Sequence, residues 1–552
     1  MENLFARRAL SLSRQPTNKL FYGDNLTVMQ SQMKLGSVDL IYLDPPFNSN
    51  RTYNLIYKEL TGAPLPEQEE AFCDAWDLDA EKLEIASRMP ILLREEGVSE
   101  DVVSFWSAWV NALKNVQPKL LAYLIYMSVR LVQMRKLLKP TGSIYVHCDP
   151  NASHYMKVFM DSIFGHQNFR NDIIWKRTNT HNDSKTWSRV SDNLLFYTKG
   201  SNFTWNTPRE PHSAEYLAAK YRHDDGDGRV YRLDNMTSPN PRPNMMYEWR
   251  GYPHPGAGWR YSIDTMQRLH DEGRVWYPTY KDGTPDYTKR PQLKRYLDEM
   301  KGAVMGNVWT DISPINSRAT ERLGYPTQKP KTLLARIIEA STNPGDTVFD
   351  PFCGCGTAIY ASQESGRQWI GCDIAIWSVR IVRDMLAARY GLNEGLDYEV
   401  SGVPLTVEGA DMLFEQDPRQ FQHWVVELAG GFSSKAWSND RGIDGRIYFE
   451  TSGGLRSMVL SVKGGKLKPD FTREVMGVVS RESNVDIGGL ICRNEPTRGM
   501  LHDAATAGSV VIRGKSYPKL QVRTVADLLA GRGFQTPSFV KTLQWERQPS
   551  LI

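Results

Sequence analysis

Pro344-Gly345-Asp346-Thr347-Val348-Phe349-Asp350-Pro351-Phe352-Cys353-Gly354-Cys355-Gly356-Thr357 reads as a strand, a glycine loop and the start of a helix. Gly354 and Gly356 carry no Cβ, so the backbone there can approach a ligand closely. A ligand at such a turn sits at the carboxyl end of a parallel strand. A second short strand follows, Gln368-Trp369-Ile370-Gly371-Cys372-Asp373. Asp373 falls about where an acid binds ribose hydroxyls in a nucleotide-type fold. On these residues alone, a tight turn in any α/β domain is the alternative.

Another buried strand lies upstream. Val38-Asp39-Leu40-Ile41-Tyr42-Leu43 is almost continuously apolar and stops at Asp44-Pro45-Pro46. Such a run fits a parallel strand covered on both faces, whose carboxyl end carries the next residues. Leu120 to Leu138 is apolar at helical spacing and meets a helix stop at Lys139-Pro140-Thr141-Gly142. Ser143-Ile144-Tyr145-Val146-His147 then reads as a strand. This alternation over 18–200 predicts a parallel α/β sheet. It breaks over 201–315, which is rich in Pro, Gly, Arg and aromatics, and returns at Thr347. Beyond 395, strands are expected near 443–449 and 458–462, which predicts a further α/β unit.

Composition narrows the class. A chain of 552 residues has room for three or four domains at roughly 100–200 residues each. Hydrophobic residues at 41% and aromatics at 11% exclude disorder as the main state. No apolar run reaches the roughly 20 residues that a membrane helix needs. Lys+Arg 67 against Asp+Glu 63 leaves a net charge of +4, so any nucleic-acid argument must come from local sites. The six cysteines form no C-x-x-C pair, and a reduced, cytoplasmic protein is expected. Arg7, Arg8 and Arg14 are read as a basic arm on the first domain, with a transit segment as the alternative.

Asp44-Pro45-Pro46-Phe47 combines three kinds of group. The prolines fix an extended backbone and remove two donors, which leaves carbonyl acceptors. Asp44 adds a carboxylate and Phe47 a flat apolar face. The set suits an exocyclic amino group on a planar base. Asp44 and the Pro45 carbonyl would accept its two hydrogens while Phe47 stacks on the ring. A strand ending in a proline turn with a core phenylalanine is the plainer alternative.

Taken together, the Asp44 tetrad and the Phe352-Cys353-Gly354-Cys355-Gly356-Thr357 loop resemble the amino-directed DNA methyltransferases that use S-adenosylmethionine. The order, tetrad before loop with a long insert between, is similar to the beta class of that family. Tyr22-Gly23-Asp24-Asn25, Phe72-Cys73-Asp74-Ala75-Trp76 and Tyr325-Pro326-Thr327-Gln328-Lys329-Pro330 match in place. The resemblance covers roughly residues 18–200 and 315–395. It implies a Rossmann-like α/β methyltransferase fold with an inserted target recognition region. Asp350, Phe352, Gly354, Gly356 and Thr357 would surround the methionine part of the cofactor. Asp373 would bind its ribose, Asp24 and Asn25 would lie near its adenine, and Gln328 and Lys329 near the methionine tail. Asp44, Pro45, Pro46 and Phe47 would hold the flipped base. Adenine N6 is the favoured target, because Asp leads the tetrad; cytosine N4 is the alternative. Cys353 and Cys355 are expected to be filler.

The remaining segments carry weaker expectations. Tyr247-Glu248-Trp249-Arg250 and Gly258-Trp259-Arg260-Tyr261 interleave Arg with aromatics. Arg can fork onto guanine or grip phosphate and aromatics can stack, so Trp249, Arg250, Trp259 and Arg260 are candidate DNA contacts. An aromatic mini-core with surface arginines is the alternative. His147, Asp149 and His181 are read as structural. In the last segment, Asp444 on one strand and Lys463 at the end of the next resemble the restriction-endonuclease-like fold. Two acids there bind Mg²⁺ while the Lys assists the attacking water. Ser461 stands where that family usually has a second acid or Gln, with Glu427 as the available substitute, so Mg²⁺ is expected only if this domain cleaves DNA. The domain expectations are 1–200 and 316–395 for the methyltransferase halves, 201–315 for the insert, and 396–552 for the smaller α/β domain. Double-stranded DNA is the expected partner, with no membrane. The resemblance leaves open a homodimer, a restriction subunit, an RNA substrate and a fused enzyme that also cuts DNA.

Overall fold

The computed structural model describes residues 17–45, 52–55, 69–73, 76–180, 186–316, 319, 321, 323, 328–433, 443–451 and 454–537. The N-terminal arm, Pro46, Phe47 and His181 lie outside them. The chain forms two compact units, Met1–Asn206 with Asn307–Ile552, and Thr207–Gly306. Among the described residues, no helix is long and apolar enough to cross a membrane.

The first unit is built on a nine-stranded sheet. In chain order its strands are β1 (Asn18–Tyr22), β2 (Val38–Leu43), β3 (Leu138–Cys148), β4 (Phe169–Lys176), β5 (Ser191–Thr198), β6 (Val308–Trp309), β7 (Thr347–Asp350), β8 (Gln368–Asp373) and β9 (Tyr398–Ser401). Their order across the sheet is β6-β4-β5-β3-β2-β7-β8-β1-β9. The run from β3 through β9 is parallel, while β5 runs antiparallel to β3 and β4. Every residue of β2 is buried, as its continuous apolar run requires of a central parallel strand. The late strand β7 inserts beside the early strand β2, with Val348 opposite Leu40 and Phe349 opposite Ile41. The two motifs, distant in sequence, thereby share one edge.

Three boundaries differ from the sequence expectation. The helix Pro118–Leu137 passes into β3 with no intervening loop. Leu138 pairs with Val38, and the Lys139 ammonium lies 2.7 Å from Asp39, so the expected helix stop becomes strand. The insert is narrower than 201–315. Phe203 and Trp205 pack on Phe196, and Trp309 belongs to β6, so both flanks are part of the large sheet's unit. The sheet also runs past residue 395, because β9 pairs with β1 and sets the Tyr398 ring 5.7 Å from Trp369.

The last segment adds a five-stranded sheet of β10 (Phe432–Ser433), β11 (Gly445–Thr451), β12 (Gly454–Lys463), β13 (Val485–Cys492) and β14 (Leu520–Thr524), in that order. Helix Pro418–Leu428 lies between the two sheets in the chain and joins their cores. Leu20, Trp369 and Tyr398 of the large sheet share one apolar cluster with Phe421, Trp424, Val425, Met458 and Leu460. Trp424 is buried at the middle of this shared core. Trp424→Ala is expected to cost about 3–5 kcal/mol. Urea denaturation should show the midpoint of both sheets falling together, in one transition.

Candidate functional site

Five adjacent strands, β3-β2-β7-β8-β1, each carry an aspartate at or just past the carboxyl end: Asp149, Asp44, Asp350, Asp373 and Asp24. Like charges crowded on one edge repel, and each acid has its own compensation. Asp149 caps helix Pro150–Phe164 by accepting the Ala152 N–H at 3.0 Å, so its role is structural. Asp24 caps helix Asn25–Ser31 through the N–H groups of Leu26 and Thr27, and it pairs with the Arg130 guanidinium. Arg130 Nε also donates to Asn25 Oδ1, whose amide donates in turn to the Pro351 carbonyl at 2.8 Å. Asn25 therefore ties the β1 turn to the glycine loop. Arg130, which the sequence reading missed, holds both residues.

The loop after β7 wraps around Asp373. Gly354 N donates to Asp373 Oδ2 at 2.7 Å and Ala375 N donates to Oδ1 at 2.9 Å. Gly354 and Gly356 both adopt left-handed φ, +49° and +85°. A Cβ on Gly356 would stand 2.7 Å from Val382, so only glycine fits there. Thr357 starts the following helix. The Cys353 and Cys355 side chains point into the core, and burial pushes both thiols up, Cys355 to about 12. They are not reactive nucleophiles. Phe352 is half-buried and packs on the core beneath the loop.

Asp350 is the most deeply placed acid of the edge. Burial pushes its carboxyl well above the usual carboxylate range. The Phe352 N–H opposes this, the charges of Asp44 and Asp373 add to it, and Lys329 opposes it. Asp44 forms an ion pair through Oδ2 with the Lys329 ammonium, whose side chain is only 8% exposed. Asp44 Oδ1 is buried and has no hydrogen-bond partner among the described residues. The resemblance placed Lys329 at a cofactor tail, whereas the structure places it on the tetrad's acid. Gln328 is spent locally, bonding Glu321 and Leu323.

A buried chain runs from Tyr42 through His147, which the sequence reading took as structural, to Asp192, which it did not single out. Tyr42 Oη lies 2.9 Å from His147 Nδ1, and His147 Nε2 lies 3.2 Å from Asp192 Oδ2. Arg177 closes the chain at 3.5 Å from Asp192. Burial alone would push the Asp192 carboxyl up. His147, Arg177 and Lys329 more than offset it, leaving Asp192 below the usual range. The available sequence signal was Tyr42, which shares a strand face with Asp44 two residues on.

In the Thr207–Gly306 unit the tryptophans correct the DNA-contact expectation. Trp259 is fully buried and donates from Nε1 to the Tyr247 carbonyl, and Trp249 donates to Tyr277 Oη. Both belong to the unit's core with Met236, Met266 and Leu293, so neither offers a ring for stacking. Arg250 and Arg260 are exposed. Arg250 sits at φ +50° in a two-residue turn between Trp249 and Tyr252.

In the last segment, Asp444 and β12 do meet. Asp444 accepts from Val462 N, Ser461 Oγ and Gln422 Nε2. Lys463 lies 3.8 Å from Glu474 and over the Phe471 ring. Glu427 is buried, and its charge acts on Tyr22 of β1.

A mostly parallel sheet with a glycine loop on one central strand and an Asp-Pro corner on the next fits an α/β protein of the methyltransferase class. The chain belongs to the DNA methylase family, whose model matches residues 38–384. It is 32% identical over 269 residues to the type II methyltransferase M.EcaI of Enterobacter cloacae, covering 48% of this chain and 58% of that protein. It is 26% identical over 402 residues to the StyLTI Mod subunit, a type III restriction-modification enzyme of Salmonella typhimurium, covering 66% and 53%. A shorter stretch of 89 residues is 49% identical to the DNA adenine methyltransferase YhdJ of Escherichia coli, covering 16% and 29%. The chain thus spans little more than half the length of the first two relatives.

The raised Asp350 carboxyl has a stability consequence. A folded-state value above the unfolded one favours the protonated fold, so this contribution is present at low pH and lost as pH rises. Asp350→Asn should therefore stabilise the cofactor-free protein at about pH 8, with the gain shrinking toward about pH 5. Guanidinium denaturation across that range checks the sign.

Proposed function

We propose that the chain transfers a methyl group from S-adenosylmethionine to the exocyclic amino group of a base flipped out of duplex DNA, with adenine N6 as the target. The observation that carries this is Asp44 Oδ1, a buried carboxylate oxygen without a partner among the described residues, beside the glycine-loop strand. The acid-lined edge suits a cationic cofactor, and the left-handed glycines suit close backbone approach. Asp373 would hold the ribose with the oxygen lone pairs left over from Gly354 and Ala375. Asp350, Phe352, Gly354, Gly356 and Thr357 would enclose the methionine part, and Asp24 and Asn25 the adenine end. When bound, S-adenosylmethionine supplies an electrophilic methyl group.

The chain's own residues do the rest by positioning. Asp44 Oδ1 accepts one amino hydrogen and the Pro45 carbonyl accepts the other, so the nitrogen lone pair is directed at the methyl group. Phe47 keeps the stacking role that the resemblance implies. Extruding the base costs a few kcal/mol, which contacts to the DNA must offset. The likeness to YhdJ and the leading Asp of the tetrad support adenine over cytosine N4.

The tetrad-before-loop order supports the beta class. The Thr207–Gly306 unit is read as the target recognition region, with Arg250 and Arg260 as its contacts. The last domain is read as a restriction-endonuclease-like module that binds or docks without cutting. Ser461 in place of an acid, and Glu427 buried toward Tyr22, support that reading. The type III Mod likeness supports a separate restriction partner.

The test is methyl transfer to unmethylated genomic DNA, with Mg²⁺ present and the product digested to nucleosides for mass spectrometry. N6-methyladenine on uncut DNA is expected. Asp44→Ala should abolish it while S-adenosylmethionine affinity stays within about threefold. N4-methylcytosine would change the base only, and Mg²⁺-dependent cutting lost in Asp444→Ala would overturn the docking reading. Retained turnover in Asp44→Ala would overturn the site.

A further inference from the structure

The ion pair between Lys329 and Asp44 joins residues 285 positions apart, and both side chains are largely buried, at 8% and 17% exposure. It uses Oδ2 and leaves Oδ1 open. Among the described residues, Asp44 acts electrostatically on Tyr42 of its own strand, Cys148 on β3 and Asp350 on β7, and it pairs with the Lys329 ammonium. Asp373 adds its charge at Asp350, and Lys329 acts on Asp350 and Asp192 as well. Apart from Lys329, none of these neighbours is a cation. An unpaired carboxylate there would be both desolvated and repelled, and both effects favour its protonated form.

We propose that Lys329 is the positioning residue of Asp44: its ammonium keeps Asp44 an ionised, fixed hydrogen-bond acceptor, and does not bind the cofactor's methionine tail. Held through Oδ2, Asp44 directs the amino group with Oδ1, the oxygen that the ion pair leaves open. As the nitrogen–methyl bond forms and the carbon–sulfur bond breaks with its electron pair left on sulfur, the amino nitrogen gives up one proton to water. The methyl-transfer part of this rests on the reading above, whereas the ion-pair part does not.

Lys329→Met and Lys329→Arg in the full chain separate the alternatives through three readouts. The first is S-adenosylmethionine affinity by calorimetry. A residue gripping the methionine carboxylate would lose about tenfold or more on removal. Removing a cation from beside a cationic ligand should leave affinity within about threefold, or tighten it. The second is the single-turnover methyl-transfer rate between about pH 6 and pH 9. Lys329→Met should lose about a hundredfold at the acid end and about tenfold at the alkaline end, because Asp44 then ionises only at higher pH. Lys329→Arg should restore the wild-type shape of the profile even if not its height.

The third readout needs no turnover. Without the ammonium, folded Asp44 favours its proton, so the denaturation midpoint of Lys329→Met should fall further below wild type as pH rises. Weakened cofactor binding with an unmoved pH profile would overturn the proposal. So would an equal rate loss at every pH, full activity in Lys329→Met, or a midpoint difference that does not change with pH. Wild-type protein that binds S-adenosylmethionine and methylates neither base would fail the reading of function instead, and the third readout would still decide on the ion pair.

Discussion

The pairing of Val348 and Phe349 with Leu40 and Ile41 is the constraint on which the rest depends. Parallel neighbours point their carboxyl ends the same way. Once β7 lies between β2 and β8, Asp44, Asp350 and Asp373 must share an edge, whatever their distance in the sequence. A one-residue slip in that register would turn Asp350 away from the edge and put apolar side chains in its place. The buried apolar runs of β2 and β7 specify the register, so the hydrophobic effect places the chemistry.

That placement concentrates negative charge, and the surrounding sequence manages it locally. Helix caps take up Asp149 and Asp24, backbone N–H groups take up Asp373, and an ammonium takes up Asp44. Asp350 has one backbone N–H and the Lys329 charge against its burial, and its carboxyl is pushed well above the usual range. An edge with one under-compensated acid is suited to a ligand that brings positive charge. The buried Tyr42–His147–Asp192 chain stiffens the same corner from behind.

Much of this was legible in the residues, and the failures have physical causes. The strands, the glycine loop and Asp373 follow local rules of burial and turn chemistry, which a single segment carries. The partner of Lys329 does not, because no local pattern tells an ammonium which of several distant acids it will reach. Trp249 and Trp259 look the same in sequence whether they stack on a base or fill a core; Met236 and Leu293, outside their two segments, decide for the core. β9 escaped because four residues after a helix carry too little periodicity to read. Glu427 is buried and its charge acts on Tyr22, at the other end of the chain, a neighbour that no local pattern indicates.

The last domain shares a core with the sheet that carries the site, through Trp424 and Trp369, and for that reason it is part of the same folding unit. The account's central claim is that two distant segments make one ligand site on that sheet's carboxyl edge. Hydrogen exchange with and without S-adenosylmethionine tests it most directly. The account expects slowed exchange in peptides over residues 350–357 and 371–375 together with those around Asp44, and none over 443–463. Binding that protects the glycine loop but leaves the Asp44 strand end unchanged would contradict it.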